Sequence, residues 1–402
     1  MYIERTLSKI LRNVTKTFPV VLITGPRQVG KTTIFEKSRE ENRNYVTLDD
    51  PQVRDLAKTD PALFLQSYKA PLLIDEIQYA PELFPHIKMI VDREKRSGLF
   101  WLTGSQQFHL MKNVSETLAG RVAILELQGF SRAEKQGQSD TVPFLPGSEL
   151  PAFFEPMDVV RAYDIIINGS YPAMFSISGM EKSIFYGSYL KTYIERDVRD
   201  LLHVADEYSF IKFMKVAAAR TGQLLNYSDM AKDVDVSVNT IKSWISVLET
   251  SGLIYLLKPY HNNIAHRAVK TPKLYFLDTG LCCYLSGWES AGALSNGAMS
   301  GAILETYVIS EIIKSYWHNG KQALLYFYRD KEKKEIDLLI ENNGTFYPIE
   351  IKRTASPKVS DVKNIEALKR LGVQTGKGAI VCFYEKPLPL NREVDIIPVG
   401  CI

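Results

Sequence analysis

The segment GPRQVGKT, residues 25–32, has the residue types and the spacing of a phosphate-binding loop. It fits the pattern G-x-x-x-x-G-K-[ST] and lies between an apolar strand, VVLIT, and a helix that begins with KTTIFEKS. In such a loop the glycines let backbone N–H groups curl around phosphates, and the N-terminus of the helix adds its dipole. The alternative is a glycine-rich turn that arose by chance, and the order strand, loop, helix argues against it.

This loop predicts an ATP site with divided roles. Lys31 would reach the β- and γ-phosphates, and the Thr32 hydroxyl would be a ligand of Mg²⁺. The residues that we expect around the nucleotide are Gly25, Pro26, Arg27, Gln28, Val29, Gly30, Lys31, Thr32 and Thr33.

The stretch LLIDEIQ, residues 72–78, offers the carboxylates that ATP hydrolysis needs. An apolar strand delivers Asp75 at its C-terminal end, where the carboxylate can hold Mg²⁺ with its water shell. Glu76, the next residue, can polarise the attacking water. Asp-Glu at this position could instead only cap the following helix. Together with the phosphate loop, however, the pair predicts an ATPase.

The stretch KKEIDLLIENNGTFYPIEIKRT, residues 333–354, predicts two short strands joined by a turn that contains Asn-Gly. Because side chains alternate between the faces of a strand, pairing across the turn can bring Asp337, Glu350 and Lys352 together. An upstream helix, GAILETYVISEIIKSYW, carries Glu305, which could lean toward the same point. Carboxylates can hold Mg²⁺ or Mn²⁺ against a phosphate, and the lysine can stabilise the charge that develops. The alternative is an exposed hairpin face with ion pairs.

The stretch 227–260 resembles a winged helix-turn-helix. The short helix YSDMAKDV and a turn precede a longer helix, whose outward face offers residue types that contact DNA: Asn239, Lys242 and Ser243. The face expected to be buried consists of Val238, Ile241, Ile245 and Leu248. A winged helix can instead serve only to pack against protein, and a single lysine on the exposed face leaves both roles open.

Five apolar runs in the first third of the chain alternate with helical stretches, which predicts a parallel sheet covered by helices. The runs are VVLIT (20–24), NYVTL (44–48), PLLID (71–75), LFWLT (99–103) and VAILEL (122–127). A strand that intervenes between the loop strand and the Asp-Glu strand resembles the AAA+ and related ATPases. This resemblance implies that Ser105 or Gln106 lies near the γ-phosphate and that Arg121 is an arginine finger or a sensor arginine. The alternative for Arg121 is an ordinary surface residue.

The C-terminal elements resemble a PD-(D/E)XK nuclease core, with a helix glutamate, a hairpin aspartate and Glu-x-Lys in order. The chain is therefore predicted to be α/β, with four parts. They are an AAA+ type P-loop ATPase domain (1–135), a linker and helical region (136–205), a winged-helix-like module (206–270) and a restriction-endonuclease-like α/β domain (271–402).

The composition is that of an ordinary globular protein, with 402 residues, 45% of them apolar and 24% charged. The net charge of +3 is small, so local patches would have to hold a nucleic acid. Four cysteines without a CxxC pair argue against zinc and for a reduced, cytoplasmic setting. The N-terminal stretch predicts an amphipathic helix and no secretory signal, and no apolar run approaches the length of a membrane span.

The whole chain resembles a widespread family of prokaryotic ATP-binding proteins, in which an AAA+ domain precedes a C-terminal domain of unknown function. The motifs GPRQVGKTT, LLIDEIQ and LTGSQQF carry the first part of the resemblance, and TYIERDVRDL, KLYFLDTGL and EIDLLI…YPIEIK carry the second. Where many members have Gly-Gly-Tyr-Pro, this chain has Gly169, Ser170, Tyr171 and Pro172.

These patterns together predict an ATP-hydrolysing protein that associates with DNA. Metal-dependent nuclease activity in repair, mobile-element control or defence is a further hypothesis. The alternative is a non-nucleolytic ATPase switch whose C-terminal half binds a protein or DNA without cutting it. The expected partners are DNA and further copies of the chain, with no membrane.

Overall fold

A computed structural model of the chain describes residues 2–104, 114, 116–150, 154–193, 207–260, 271–366, 368 and 371–402. Five parallel strands form the N-terminal sheet: β1 Val20–Thr24, β2 Asn44–Thr47, β3 Leu72–Asp75, β4 Phe100–Gly104 and β5 Val122–Glu126. Their order across the sheet is β2-β3-β4-β1-β5. The predicted parallel α/β sheet is thus confirmed, and each strand begins and ends within one residue of the apolar run that predicted it.

The inner strands of this sheet are buried from end to end. Every residue of β1, β3 and β4 is buried, because helices cover both faces of the sheet. This explains why their sequences are continuous apolar runs rather than alternating ones. The covering helices are α1 Leu7–Thr15, α2 Lys31–Ser38, α3 Pro51–Thr59, α4 Pro61–Ser67 and α5 Leu83–Glu94.

The direction of the strands determines what lies at each edge of the sheet. Because β1, β3 and β4 are parallel, their C-terminal ends meet at one edge. The phosphate loop follows β1 there, Asp75 ends β3, and Thr103 comes next to last in β4. β4 lies between β1 and β3, so its C-terminal end separates the loop from the Asp-Glu pair.

Short helices make up much of the region after this sheet: α6 Arg132–Lys135, α7 Val159–Asn168, α8 Ala173–Ser176 and α9 Lys182–Tyr193. A backbone bond joins this region to the end of the ATPase part, since Phe130 N donates to Ser170 O at 2.7 Å. Most of the TYIERDVRDL motif, 192–201, lies outside the described residues.

Three helices and three strands follow in the order α10 Glu207–Ala219, β6 Gln223–Leu224, α11 Tyr227–Val234, α12 Val238–Thr250, β7 Ile254–Pro259 and β8 Lys273–Phe276. β8 pairs antiparallel with both β6 and β7. The connection between β7 and β8, 261–270, lies outside the described residues.

The C-terminal elements continue the same sheet. The helices are α13 Thr279–Ser286, α14 Ala291–Asn296 and α15 Ser300–Trp317, and the strands are β9 Leu325–Arg329, β10 Glu335–Asn342, β11 Thr345–Ile351, β12 Gly378–Cys382, β13 Leu388–Pro389 and β14 Val394–Pro398. Within the described residues they join β6, β7 and β8 in a nine-stranded sheet, ordered β13-β14-β12-β11-β10-β9-β7-β8-β6. The predicted boundary between residues 270 and 271 falls inside this sheet, because β7 pairs with both β8 and β9.

Two local predictions in this region turn out differently from each other. The hairpin forms as expected, with Leu338 opposite Ile349 in an antiparallel pair. The second prediction is a helix over 359–371, after the hairpin: Val359–Ile365 forms a 3-10 helix, and the described residues Glu366 and Leu368 that follow are α-helical. Polar side chains in this segment bond elsewhere, since Asp361 accepts from Lys358 N at 2.8 Å and Asn364 donates to Glu335 O at 2.9 Å.

None of the helices within these described ranges is both long and apolar enough to cross a membrane.

Candidate functional site

The phosphate loop has the backbone that its glycines predict. Gly25 and Gly30 have φ angles of 145° and 92°, which residues with a side chain rarely adopt. At Gly25 a Cβ atom would also overlap the carbonyl oxygen of Leu127. Lys31 is buried, and its Nζ donates to Gly25 O at 3.0 Å and to Pro26 O at 2.7 Å. The side chain of Lys31 therefore folds back over the loop that precedes it.

The structure brings together the two oxygen ligands predicted for Mg²⁺. Thr32 Oγ1 donates to Asp75 Oδ1 at 2.9 Å, across the C-terminal edge of the sheet. A third residue, Thr103 at the end of β4, donates to the same Oδ1 at 2.5 Å. Sequence analysis missed Thr103, although it lies in the LTGSQQF motif, two positions before Ser105.

Asp75 is surrounded by groups that affect its charge. Burial raises the pKa of its carboxyl above the ordinary value, and the hydrogen bonds from Thr103 and Thr32 oppose that rise. A hydroxyl and a carboxylate are hard oxygen donors, which suit Mg²⁺. The residues present at this point therefore fit the ion that the sequence predicted.

Glu76 follows Asp75 at the turn out of β3. Its backbone is left-handed, with a φ of 57°, and its N–H donates to Thr103 Oγ1 at 3.0 Å. Gln78 donates to one oxygen of its carboxylate. Thr103 thus contacts both members of the Asp-Glu pair, and it fixes the backbone from which Glu76 extends.

A cavity of about 320 Å³ opens beside the phosphate loop. One wall is formed by the loop and α2, through Val29, Gly30, Thr33, Ile34 and Lys37. The facing wall comes from other parts of the chain: Tyr2, Ile3, Arg5, Phe130, Pro172 and Ser176. Pro172 belongs to the Gly-Ser-Tyr-Pro motif, so this motif helps to line the space next to the loop.

Arg121 lies at the wrong edge of the sheet for a sensor arginine that acts on its own chain's nucleotide. β5 runs parallel to β1 with Val122 opposite Val20, and Val20 N donates to Arg121 O at 3.2 Å. The arginine is therefore level with the start of β1, about 16 Å along the strand from the loop. Its guanidinium pairs with Asp92, with distances of 2.6 and 3.1 Å. Of the two predicted catalytic roles, only that of an arginine finger toward another subunit is compatible with this position, and the exposed ion pair with Asp92 equally fits the alternative of an ordinary surface residue.

Ser105 and Gln106, the other residues predicted near the γ-phosphate, lie outside the described residues.

The residues predicted to contact DNA are all exposed on α12: Asn239, Lys242 and Ser243. Lys242 Nζ lies over the ring of Tyr227, 5.8 Å from its centre. One residue of the expected buried face differs, since Val238 is 36% exposed. It stands in the first turn of α12, and the core contact is made instead by Trp244, which packs against Phe210 and Phe213.

The hairpin of β10 and β11 places Asp337, Glu350 and Lys352 together, as the strand period predicts. Lys352 Nζ lies 3.2 Å from Asp337 Oδ2 and 2.6 Å from Glu350 Oε2. Asp337 also accepts a hydrogen bond from Ile351 N at 2.8 Å. The lysine thus bridges both carboxylates.

Glu350 is almost completely buried, and its second oxygen, Oε1, has no hydrogen-bond partner among the residues that the structure describes. Burial raises the pKa of Glu350 to about 8, with Asp337 adding to the rise and Lys352 opposing it. Burial also lowers the pKa of Lys352, but the two carboxylates outweigh it and raise that pKa above its ordinary value. Lys352 is therefore charged, and its ammonium pairs with both carboxyl groups.

Glu305 approaches this cluster from α15, but its carboxylate is held by other residues. Tyr275 OH donates to its Oε1 at 2.5 Å, and Lys273 Nζ lies 3.1 Å from the same oxygen. Burial raises the pKa of Glu305 to about 6, and Asp337 adds to the rise. Lys273 also pairs with Glu335 at 2.5 Å.

Sequence analysis did not select Lys273, Tyr275 or Glu335. The first two stand two positions apart in KLYFLDTGL, so the strand period could have placed them on one face. Among the residues that the structure describes, no group of three or more His, Cys, Asp and Glu side chains is arranged to hold a metal ion. A metal site at Asp337, Glu350 and Glu305 therefore remains a prediction.

Comparison with protein families defines the class of the N-terminal part. Residues 17–135 match the family model described as "AAA domain". This range contains the parallel sheet, the loop and the Asp-Glu pair, so it is an AAA-type P-loop ATPase domain. Residues 161–292 match a "Domain of unknown function (DUF8612)", and residues 300–402 match a "Domain of unknown function (DUF4143)".

Two curated relatives extend over the whole chain. The uncharacterized protein Rv2008c of Mycobacterium tuberculosis and the uncharacterized protein Mb2031c of Mycobacterium bovis are each 31% identical to it over 408 residues. The alignment covers 100% of this chain and 85% of each relative. The chain belongs to the family of these mycobacterial proteins.

Solved structures resemble the chain more weakly. The Walker-type ATPase PABY2304 of Pyrococcus abyssi has 13% sequence identity and a TM-score of 0.42, over 71% of this chain and 96% of that one. The Holliday junction branch migration motor RuvB of Thermotoga maritima has 18% identity and a TM-score of 0.30, over 62% of this chain and 88% of that one. At these TM-scores the similarity says nothing about function.

Proposed function

We propose that this chain binds and hydrolyses ATP. The observation that carries the proposal is the contact of Thr32 with Asp75. Thr32, next to Lys31 at the start of α2, places its hydroxyl 2.9 Å from the buried carboxylate of Asp75 at the end of β3. The match of this region to the AAA domain supports the same activity.

Each residue of the site has a distinct task under this proposal. Lys31 pairs with the phosphates of the nucleotide, and Gly25 and Gly30 give the loop its curled backbone. Thr32 and Asp75 would hold Mg²⁺, which neutralises phosphate charge when it is bound. Glu76 orients the attacking water and accepts its proton. The cavity beside the loop offers space for the ribose and the base.

Two substitutions test the ATPase proposal. Lys31→Ala should lose nucleotide binding, because the phosphate charge loses its partner. Glu76→Gln should keep binding but stall hydrolysis, so that ATP stays trapped on the protein. Binding of a fluorescent ATP analogue and release of phosphate measure the two steps separately. If both variants hydrolyse ATP at the wild-type rate, the assigned site is wrong.

We further propose that the chain associates with DNA through α12. The order helix, strand, helix, helix, strand, strand over 207–276 is typical of a winged helix, in which the third helix enters the major groove. The exposed Asn239, Lys242 and Ser243 support this proposal, because their side chains can donate to phosphates and base edges. The small net charge limits the affinity to what such a local contact supplies.

The C-terminal carboxylates raise a third proposal, metal-dependent DNA cleavage. It is supported by the meeting of Asp337 and Glu350 and by the buried Glu350 Oε1 that lacks a partner. A hard cation such as Mg²⁺ or Mn²⁺ would satisfy that oxygen and would lower the pKa of a bound water. Lys352 would then stabilise the charge on the phosphate.

The alternative is an ATPase switch that binds a protein or DNA without cutting it. It is supported by Lys352, whose ammonium pairs with one oxygen of each carboxylate without a metal. Lys273 does the same for Glu305 and Glu335. A nuclease assay with divalent cations, on the wild type and on Asp337→Ala, decides between the two.

Two further proposals concern the setting of the protein. All four cysteines are buried free thiols, which supports a reduced, cytoplasmic compartment. A homo-oligomer is the assembly in which Arg121 could reach a nucleotide, since it lies far from the loop of its own chain.

A further inference from the structure

Arg5 is a buried arginine that contacts the wall of the phosphate loop. It lies just before α1 and is 4% exposed. One terminal nitrogen, NH1, donates to Val29 O at 2.9 Å, and the other, NH2, donates to Gln128 O at 2.6 Å. The guanidinium also lies over the ring of Phe130, 4.7 Å from its centre. A single side chain thus joins the loop to the segment that follows β5.

The bond to Val29 determines the direction of a neighbouring N–H. The carbonyl of Val29 and the N–H of Gly30 belong to one planar trans peptide, so they point in opposite directions. Holding the carbonyl toward Arg5 therefore aims the Gly30 N–H away from Arg5 and into the loop.

Glu134 holds the guanidinium from the other side. Its Oε1 lies 3.2 Å from Arg5 Nε, and its two oxygens accept hydrogen bonds from Thr6 N and Ser131 N, each at 2.9 Å. Burial raises the pKa of Glu134, but Arg5 and His318 outweigh it and keep that pKa well below the ordinary value. The carboxylate is therefore charged and pairs with Arg5.

His318, directly after α15, completes the cluster from the C-terminal half of the chain. Gln128 N donates to its Nε2 at 3.2 Å, and its Nδ1 lies 3.2 Å from Glu134 Oε1. A backbone N–H can only donate, so Nε2 is the acceptor and the ring proton belongs to Nδ1, which faces Glu134. Burial lowers the pKa of His318, which agrees with this neutral ring.

We propose that Arg5 is a positioning residue for the nucleotide site, kept in place by Glu134 and His318. It orients the Val29–Gly30 peptide so that the Gly30 N–H faces the phosphates. Through His318, the C-terminal helix α15 contributes to the shape of the loop. This inference rests on the proposed ATP site, and it adds residues that no motif contains.

Arg43 provides a matched control for substitutions of Arg5. It is also 4% exposed, it donates to the carbonyl of Gly98 at 2.9 Å, it pairs with Glu40 at 2.8 Å, and it lies 4.0 Å from the ring centre of Trp101. It stands just before β2, at the edge of the sheet opposite the loop. Loss of Arg43 therefore reproduces the general cost of removing a buried arginine.

The test measures the affinity of the full chain for a fluorescent ADP analogue, together with KM and kcat for ATP. Arg5→Lys keeps the charge beside Glu134 but lacks the planar fork with which Arg5 reaches Val29 O and Gln128 O through two separate nitrogens. We expect it to raise Kd and KM by about ten-fold, the effect of one hydrogen bond from a charged group. The kcat at saturating ATP should stay close to the wild-type value, because Arg5 contacts neither Glu76 nor Thr103. His318→Ala should raise Kd in the same direction by a smaller factor.

Arg43→Lys should lower the melting temperature without changing Kd or KM. The proposal is overturned if Arg5→Lys, folded by circular dichroism, binds the analogue as tightly as Arg43→Lys does. Lys31→Ala separates this failure from failure of the ATP site itself. If the wild type binds no analogue, the ATP site is wrong; if only Lys31→Ala loses binding, the role of Arg5 is wrong.

Discussion

The Thr103 hydroxyl, on β4, donates a hydrogen bond to Asp75 Oδ1, on the neighbouring strand β3, at a distance of 2.5 Å. Thr103 Oγ1 also accepts a hydrogen bond from Glu76 N at 3.0 Å, so one threonine orients both acidic residues. This bond opposes the rise that burial causes in the pKa of Asp75. Thr103 therefore helps to keep a charged carboxylate at the point where the predicted Mg²⁺ ligands, Thr32 and Asp75, meet.

The first prediction follows from this bond. Thr103→Val preserves the shape of the side chain but removes the hydroxyl, so Asp75 should bind Mg²⁺ more weakly. ATP hydrolysis should then require a higher Mg²⁺ concentration, and kcat should fall by about ten-fold. Phosphate release measured against Mg²⁺ concentration tests this. Thr15→Val is the control, because Thr15 is a buried threonine at the opposite edge of the sheet. Its hydroxyl accepts a hydrogen bond from Trp101 Nε1 and donates one to Leu11 O. Equal Mg²⁺ requirements in the two variants would contradict the assignment.

A second prediction concerns assembly through Arg121. We expect Arg121→Ala to lose ATPase activity and ATP to favour association of the wild type. Mixing Arg121→Ala with Lys31→Ala should restore part of the activity, since each subunit supplies what the other lacks. Asp92→Ala is the control, because it removes the partner of Arg121 and leaves the guanidinium in place. Normal turnover of a monomeric Arg121→Ala protein would rule out a role in trans.

Contact of α12 with DNA is the subject of the third prediction. Lys242→Ala should weaken binding and reduce the slope of log K against log salt by about 1, the value for one lost phosphate contact. Lys88→Ala, which removes an exposed lysine from α5 of the ATPase domain, should leave the slope unchanged. A triple variant at Asn239, Lys242 and Ser243 with wild-type affinity and slope would favour a helix that only packs against protein.

The fourth prediction tests the cluster on the hairpin. Cleavage of DNA should require Mg²⁺ or Mn²⁺, and Asp337→Ala and Glu350→Ala should each abolish it, because either change removes a hard oxygen ligand. Lys352→Ala should keep metal binding and slow the cleavage, since the lysine acts on the phosphate. Glu341→Ala, farther along β10, is the control.

Melting curves must accompany these hairpin variants, because their side chains lie next to buried Ile336, Leu338, Ile349 and Ile351. A folded wild type that binds no divalent ion and cuts neither single- nor double-stranded DNA, with or without ATP, would favour the switch.

The last prediction concerns stability and pH at Glu134. Arg5 and His318 depress its pKa in the folded state below the unfolded value of about 4.3. Its stabilising contribution is therefore present above about pH 4.3 and is lost as the pH falls toward the folded pKa. Glu134→Gln leaves Arg5 buried without its anion and should cost about 3–5 kcal/mol at pH 7. Urea unfolding at pH 7 and pH 4 should show a smaller cost at the lower pH, and an equal cost at both would contradict this role.

Local patterns in the sequence were enough to predict the N-terminal sheet and the ATP site. Continuous apolar runs bounded by turn residues identify buried parallel strands, and the chemistry of such a sheet gathers at the C-terminal ends of its strands. Lys31, Thr32 and Asp75 could therefore be assigned from their motifs. The hairpin cluster was predictable for a similar reason, because Asp337, Glu350 and Lys352 need only a period of two and one turn to meet.

Other parts of the site depended on the tertiary structure. The order of the strands places β4 beside β3, and only this order brings Thr103 to Asp75. The same sheet puts Arg121 at the opposite edge from the loop. No motif announces Arg5 or His318, because Arg5 contacts residues 24 and 123 positions away, and His318 lies 190 positions from Gln128. Hydrophobic periodicity indicates only which residues of one helix or strand share a face. Contacts between distant segments are therefore decided by how the helices and strands pack.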